Sequence, residues 1–245
     1  MLQYKNKVIK NKEDLMSKYG SQEFASPYRS TIPLIELFFN NESEMEKIIP
    51  GFQTYNCVFE YGTPVKGIRN IDRSYTDLMI YNENKGFCIE AKRTEGAYPT
   101  VKKWFEIGNY ENKKVILSRW LSIINIRCKT NLVSKDIEVL PCQMIHRFAS
   151  ACNINENSEL LYFCFDLKNN SLSYYNAQLE KISELINRKV SIKLISFSIE
   201  KTKKYEMLEK KWDLRMGKLD LSDEIQHLLL KEKSMAISIM GIKEF

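Results

Sequence analysis

Residues 76–92 read TDLMIYNENKGFCIEAK, in which two apolar runs of six residues flank a polar, Gly-containing segment of five. Runs rich in aromatic and branched residues, separated by a short segment of this kind, predict two antiparallel strands joined by a turn. Side chains alternate between the two faces of a strand, so Glu90 and Lys92 share one face. The stretch therefore predicts a β-hairpin in which charged side chains interrupt an otherwise apolar sheet.

The register of this hairpin determines whether its acidic side chains meet. If Asn82 pairs with Lys85, Asp77 falls directly opposite Glu90, and opposed residues have Cβ atoms roughly 4.5–5.5 Å apart. A loop with an odd number of residues would instead put the two carboxylates on opposite faces. Two opposed carboxylates suit one divalent ion, because Mg²⁺ prefers oxygen ligands and is held by one or two carboxylates together with waters and phosphate oxygens. Lys92, on the same face, could then position a water or contact a phosphate.

This pattern, Asp77 followed by twelve residues and then Glu90-Ala91-Lys92, resembles the motif of the PD-(D/E)XK nuclease superfamily, which has the restriction-endonuclease-like fold. The resemblance implies that Asp77 and Glu90 bind Mg²⁺, with Mn²⁺ able to substitute, and that the carbonyl of Ala91 joins them. It also implies that Lys92 assists the attacking water. The chain departs from the family name in one respect, since Thr76 stands where the name has Pro.

The order of predicted elements agrees with that family. Ser30-Thr31-Ile32-Pro33 predicts the start of a helix, which residues 34–39 continue, and residues 55–61 predict a strand before the hairpin. A first helix followed by a three-stranded meander is how the family's core begins. Further helices are predicted at residues 101–107, 114–126, 142–152 and 179–187, and further strands at 160–165 and 190–199. A helix that crosses between the last two strands makes them parallel. The predicted fold class is therefore α/β, a mixed sheet flanked by helices.

The 245 residues contain no Pro, Gly or Ser-rich linker and no repeat, which predicts one nuclease-like domain over residues 1–245. Its core is expected at about residues 25–200, with a C-terminal helical extension at about 201–245. Lys203 and Lys204 belong to a basic cluster in that extension and are candidate nucleic-acid contacts. The cluster surrounds apolar residues at helical spacing, so it could equally be the solvated face of a docked amphipathic helix, and both descriptions can hold together.

Composition fits a protein that attracts a polyanion, since 37 Lys and Arg exceed 31 Asp and Glu by a formal charge of +6. Six cysteines form no Cys-x-x-Cys pair and are accompanied by only two histidines, which argues against zinc and favours a reducing cytoplasm. Residues 1–24 lack the apolar core of a secretory signal, and no apolar run approaches the length of a membrane span. Neither a Gly-rich phosphate loop nor a Gly-x-Ser-x-Gly motif is present.

Two further acids are candidates for the metal site. Glu36 interrupts the apolar first helix, where an acid completes the metal site in many members of the family that the chain resembles. A Glu on the solvent side of an amphipathic helix explains it equally well. Glu95 follows the second hairpin strand and could lie near the metal, although exposure in a loop explains it as well.

Several polar residues are candidates for contacts with substrate. Gln143, His146 and Arg147 share one face of a predicted helix, where they could contact a phosphate. For His146 a satisfied histidine in a packed helix is the alternative. Arg93, which directly follows the motif, is a candidate nucleic-acid contact. Arg29 precedes a helix N-terminus that could bind an anion, with a surface cap as the commoner explanation.

The sequence therefore leads to the hypothesis of a Mg²⁺-dependent nuclease, a DNA endonuclease of restriction-enzyme-like type with a role in prokaryotic defence. The DNA substrate and the defence role come from the resemblance alone. The alternative is a catalytically inactive nucleic-acid-binding or assembly module of the same fold, and RNA cleavage is a third option. The expected partner is nucleic acid rather than a membrane, and dimers, common in that family, leave a homodimer open.

Overall fold

The part of the chain that the structure describes folds around one mixed β-sheet of eight strands. The structure is a computed structural model, and it describes residues 1–65, 74–94 and 96–245. In chain order the strands are β1 (Leu2–Tyr4), β2 (Lys7–Val8), β3 (Asn56–Gly62), β4 (Tyr75–Tyr81), β5 (Gly86–Lys92), β6 (Ser158–Phe165), β7 (Ile192–Lys201) and β8 (Met235–Glu244). Across the sheet their order is β2-β1-β3-β4-β5-β6-β7-β8.

The middle of the sheet follows the sequence prediction. Strands β3, β4 and β5 form an antiparallel meander, and β6 and β7 continue from β5 as parallel strands. Parallel neighbours require a crossover, which between β6 and β7 is the helix at Asn169–Leu185. The fold is therefore α/β with a mixed sheet, as the sequence predicts.

Helices cover both faces of the sheet, and each face has its own apolar core. In chain order the helices are α1 (Lys12–Lys18), α2 (Thr31–Asn40), α3 (Glu42–Ile48), α4 (Val101–Phe105), α5 (Tyr110–Cys128), α6 (Cys142–Cys152), α7 (Asn169–Leu185), α8 (Lys203–Leu214) and α9 (Ser222–Lys231). Helices α1, α2, α3, α8 and α9 pack on one face and α4 to α7 on the other. Of the helices in these described segments, none combines the length and the apolarity needed to cross a membrane.

The C-terminal region corrects one expectation. We expected a helical extension after about residue 200, but α8 and α9 are followed by strand β8, which pairs with β7 along its length. Met235 and Ile237 are buried on the core side and Ala236 between them is exposed, an alternation of period two that helices do not have. The N-terminal strands β1 and β2 also join the sheet, so residues outside 25–200 contribute to it.

Helix α8 packs on the core through its apolar side, as expected if the basic cluster is the solvated face of a docked amphipathic helix. Tyr205 is fully buried, and Leu208 and Trp212 pack against the same core from partly buried positions. Lys203 and Lys204 lie on its exposed side, and Lys204 Nζ is 2.7 Å from a carboxylate oxygen of Glu232.

Candidate active site

The hairpin has the register that brings its two acids together. The Asn82 N–H donates to the Lys85 carbonyl at 2.9 Å, and the paired residues run from this turn to Leu78 opposite Ile89. Continuing the ladder by one residue places Asp77 opposite Glu90. Asp77 Oδ2 also accepts the backbone N–H of Ala91 at 2.8 Å, which ties its carboxylate to β5.

The Lys92 amine lies within hydrogen-bond distance of the Glu90 carboxylate. Its Nζ is 2.7 Å from Glu90 Oε1 and 2.9 Å from Gln143 Oε1, and it lies 4.5 Å from the centre of the Tyr98 ring. Glu90 and Lys92 are almost completely buried, whereas about a quarter of the Asp77 side chain (26%) reaches solvent. Access to this cluster from solvent is therefore on the Asp77 side.

Helix α6 supplies the other groups of the site, as its polar face predicted. The helix packs on β5 and β6, and residues 144–152 are all buried. Arg147 Nε donates to Glu90 Oε2, and its NH2 lies 3.8 Å from Asp77 Oδ1. Gln143 reaches Lys92 from the first turn of the same helix.

His146 lies behind Arg147 and does not touch the two acids. Its Nδ1 is 2.7 Å from Arg147 NH1, and its Nε2 is 3.3 Å from Thr63 Oγ1 and 3.4 Å from Ser150 Oγ. The ring stacks on Trp120 with 5.2 Å between ring centres. It is a buried, hydrogen-bonded histidine in a packed helix, the alternative given for it above.

The pKa values of the two carboxyl groups in the cluster are shifted in opposite directions. Burial raises the pKa of Asp77 well above its ordinary value, and the charge of Glu90 adds to this effect. Burial also acts to raise the pKa of Glu90, but Arg147 and Lys92 outweigh it and hold that pKa below its ordinary value. Glu90 is thus ionised, and Asp77 is the group of the pair that takes up a proton more readily.

Lys92 is protonated, so it donates hydrogen bonds and cannot act as a base. Burial alone would lower its pKa, but Glu90 and Asp77 raise it above the ordinary lysine value, so its amine remains an ammonium ion. Burial, followed by the charge of Arg147, lowers the pKa of His146 well below 6.5, so this imidazole is neutral.

A third acid at this level of the sheet, Glu60, was missed in the sequence analysis. It lies in β3 between the pairs Phe59–Leu78 and Tyr61–Thr76, which places it opposite Asp77. Its backbone has φ of 51°, in the left-handed region, where a glutamate is uncommon. Burial raises its pKa to about 7, with Arg147 acting against and Glu23 adding to the shift. A lone acid within the apolar run Val58-Phe59-Glu60-Tyr61 is the signal that could have identified it.

The donor set fits a hard divalent cation that keeps part of its own water shell. Within residues 1–65, 74–94 and 96–245, no three His, Cys, Asp or Glu side chains form a complete metal-binding group. Asp77 and Glu90 nevertheless offer two carboxylates on one face, and Mg²⁺ can complete its octahedron with waters and phosphate oxygens. The Tyr162 hydroxyl, on β6 beside Glu90, is buried and has no hydrogen-bond partner among the described residues. Such a group is a common sign of a position that receives water or a ligand.

Glu36 does not belong to this cluster, and neither explanation offered for it was right. It is fully buried on the opposite core, where its carboxylate lies 2.5 Å from Lys12 Nζ and accepts the Ser234 N–H at 3.1 Å. A buried carboxylate requires such partners, and Lys12 reaches it from the separate helix α1. Glu95 lies outside the described residues.

Arg93 is also buried, because its side chain points away from Lys92 toward the opposite face. Its NH2 lies 2.8 Å from Glu209 Oε1 and its NH1 donates to the Pro27 carbonyl. It joins β5 to α8, and we do not retain it as a nucleic-acid contact. Arg29 is exposed just before α2, whose first residue, Thr31, donates from its hydroxyl to Glu23 at 2.9 Å.

Comparison with known proteins places the chain in a family without assigning it an activity. A family described as "Domain of unknown function (DUF6946)" matches residues 8–216. The chain belongs to this family. Neither a search of the curated proteins nor a search of the solved structures found a match. The matched segment of this family contains every residue of the cluster around Asp77 and Glu90 but ends before strand β8.

Proposed function

We propose that this protein is a Mg²⁺-dependent nuclease that hydrolyses phosphodiester bonds, with a restriction-endonuclease-like fold. The observation that carries the proposal is the convergence of Asp77 and Glu90, from neighbouring strands, on one cationic group, with the Lys92 amine 2.7 Å from Glu90. DNA as substrate, cleavage within a strand and a role in defence rest on the resemblance of the motif to the PD-(D/E)XK nucleases.

Each side chain has a role that follows from its chemistry. A Mg²⁺ ion held by Asp77 and Glu90 would acidify a bound water and offset negative charge on the phosphate. Lys92, as an ammonium ion, would donate hydrogen bonds to the attacking water or to a phosphate oxygen. Gln143 fixes the position of that amine through its 2.9 Å contact. Because Lys92 is protonated it cannot act as the base, and the proton of the attacking water would leave to bulk solvent, which the cluster reaches on the Asp77 side.

A second candidate function is a catalytically inactive nucleic-acid-binding module of the same fold. The observation that favours it is the ion pair between Arg147 and Glu90, which neutralises a metal-binding carboxylate from within the protein. If that pair is permanent, the cluster is a structural element of the sheet and α6. The two candidates therefore differ in whether a divalent ion can bind.

Cleavage of plasmid DNA with Mg²⁺ or Mn²⁺ tests the proposal. We expect metal-dependent nicking or cutting by the parent, and loss of it in Asp77→Asn and Lys92→Met. The matched control is Glu159→Gln, which removes a carboxylate on the neighbouring strand β6, opposite Phe87 and outside the cluster, whose Oε2 lies 2.6 Å from Lys193 Nζ. Far-UV circular dichroism checks that each variant is folded.

The outcomes separate the candidates. Cleavage by both site variants at the parental rate would show that the assigned cluster is wrong. A parent that binds DNA but cleaves neither DNA nor RNA with either metal would favour the inactive module. Loss of cleavage in Glu159→Gln as well would mean that general destabilisation, and not the cluster, explains the site variants.

A further inference from the structure

The guanidinium of Arg147 lies in the position that a cation shared by Asp77 and Glu90 would take. Its Nε donates to Glu90 Oε2, and its NH2 lies 3.8 Å from Asp77 Oδ1. The side chain comes from α6, 57 residues further along the chain than Glu90. One buried side chain therefore contacts both of the carboxylates that the metal hypothesis requires.

The surrounding residues hold Arg147 in this position. A guanidinium has only donors, so His146 Nδ1, at 2.7 Å from Arg147 NH1, must be an acceptor. The proton of the neutral imidazole is then on Nε2, where the hydroxyl oxygens of Thr63 and Ser150 lie at 3.3 and 3.4 Å. Stacking of His146 on Trp120 fixes the ring. This support makes the placement of Arg147 a feature of the fold.

The formal charges of the cluster argue against binding of a divalent ion while Arg147 stays beside the two carboxylates. With both acids ionised, Asp77 and Glu90 carry two negative charges, and Lys92 and Arg147 carry two positive charges. A divalent ion placed beside an unmoved Arg147 would face a like charge at a short distance within a buried site. The guanidinium must therefore leave the carboxylates if a divalent ion is to bind both of them.

A displaced guanidinium would become available to a phosphate. It carries five N–H donors in a planar arrangement that matches the oxygens of a phosphodiester. With a divalent ion bound and Arg147 withdrawn, the same four side chains plus the ion have a net charge of +2. This is the charge state that attracts a polyanionic substrate.

From this geometry we infer that Arg147 is an internal counter-ion, which occupies the cation position in the metal-free protein and turns to a substrate phosphate when a divalent ion enters. The inference rests on the proposed function and adds a coupling to it. Entry of the metal and binding of nucleic acid each favour the same displaced state of Arg147, so each strengthens the other.

Calorimetric titration with Mn²⁺, without nucleic acid, tests the first half of the inference. Removing a like charge from the metal position should tighten Mn²⁺ binding at least about tenfold in Arg147→Met. Arg147→Lys keeps the charge and should stay near the parental affinity. The control Lys12→Met removes a cation from the buried Glu36 on the other face of the sheet and should not change Mn²⁺ affinity. Equal or weaker Mn²⁺ binding by folded Arg147→Met would overturn the inference.

A measurement on the parent protein covers the case in which Arg147→Met does not fold. The Nε–H signal of Arg147 in a ¹H–¹⁵N spectrum, assigned by its absence in Arg147→Lys, should shift when Mg²⁺ is added. It should shift again when a short DNA duplex follows. A signal that stays in place while Mg²⁺ binds would contradict the displacement of Arg147.

The coupling is tested by measuring affinity for the same duplex with and without Ca²⁺, an ion chosen to limit cleavage. Ca²⁺ should tighten duplex binding by the parent more than by Arg147→Met. An equal effect in both proteins would refute the coupling while leaving the nuclease proposal intact. Failure of the parent and of every variant to bind Mn²⁺, Mg²⁺ or Ca²⁺ would instead overturn the proposed metal-dependent function, and with it the inference.

Discussion

Replacing Glu60 by glutamine should stabilise the protein at neutral pH and leave its stability unchanged in acid. Glu60 lies in β3 opposite Asp77, and burial raises its pKa to about 7 from the ordinary 4.5. Gln has nearly the same shape and keeps the left-handed backbone at this position, so the substitution removes the charge alone. The difference in the free energy of unfolding between the parent and Glu60→Gln therefore measures the cost of an ionised carboxylate at this position.

The magnitude follows from the difference between the two pKa values. At about 1.4 kcal/mol per pH unit, a change in pKa from 4.5 to about 7 corresponds to about 3.5 kcal/mol. Screening by solvent at this half-buried side chain reduces the expected value to about 2 kcal/mol.

The sign of this stability difference depends on whether the folded or the unfolded chain binds the proton of Glu60 more tightly. A carboxyl group with a higher pKa in the folded chain holds its proton better when folded, so the free energy of unfolding falls as pH rises from about 4.5 to about 7. Above about pH 7 this group causes no further change. Glu60→Gln should thus match the parent near pH 4 and exceed its stability by about 2 kcal/mol near pH 8.

Urea unfolding followed by far-UV circular dichroism, with EDTA present, measures this difference across the pH range. Glu159→Gln is a control of opposite sign, because Lys193 and Lys85 overcome the effect of burial and lower the pKa of Glu159. That variant should be less stable than the parent at neutral pH, and the deficit should shrink in acid. A Glu60→Gln difference that does not vary with pH would refute the assignment of a raised pKa.

Three further outcomes are expected from other parts of the fold. A Cβ added at Gly86 would lie 2.8 Å from Ile154 Cγ2, so Gly86→Ala should lower the free energy of unfolding in urea by about 1–3 kcal/mol, and an unchanged value would mean that the neighbouring residues move aside. Arg93→Met removes the ion pair with Glu209 and should lower the free energy of unfolding by about 2 kcal/mol. It should leave DNA affinity unchanged. Weaker DNA binding by the folded variant would restore Arg93 as a nucleic-acid contact. Because the pKa of His146 lies well below 6.5, the parent should lose stability relative to His146→Gln as pH falls below about 6.5 in the same urea assay, and parallel pH profiles would contradict a buried neutral imidazole.

The parts of the site that the sequence predicts are those fixed by local geometry. The pairing of Asn82 with Lys85 sets the hairpin register within a few residues, and Asp77 then falls opposite Glu90 without reference to the rest of the chain. The placement of Gln143 and Arg147 on one face of α6 follows from helical spacing in the same way.

Contacts between distant segments were not predictable from local pattern. Nothing in the sequence near Glu36 indicates that Lys12, 24 residues earlier, reaches it in the opposite core. The insertion of Arg147 between the two acids depends on how α6 packs on β5, a tertiary arrangement that periodicity does not encode. Sequence could show that these helices have polar positions but not which partners those positions meet.

Two features that the sequence analysis did not predict, Glu60 in the acidic row and strand β8, each had a local signal in the sequence that a neighbouring pattern obscured. Glu60 interrupts an apolar strand as Asp77 does, but it lacks the spacing to Glu90-Ala91-Lys92 that drew attention to the hairpin. Strand β8 alternates at Met235, Ile237 and Ile239, yet the basic helix before it favoured a helical description of the whole C-terminal region. In both cases a stronger neighbouring pattern hid a weaker one.

The row of acids on β3, β4 and β5 links the stability of the fold to what it can bind. Glu60, Asp77 and Glu90 lie at one level of three adjacent strands, where like charges repel and burial disfavours ionisation. Arg147 and Lys92 outweigh this cost for Glu90, whose pKa is lowered. For Asp77 and Glu60 the nearby cations offset the cost only in part, and the pKa values of both remain raised. Any cation that binds the folded chain at this row would relieve the remaining repulsion and stabilise the protein by mass action. The incompletely offset cost of ionising Asp77 and Glu60 is therefore a physical reason to look for a ligand at this end of the sheet, independent of the motif that first drew attention to it.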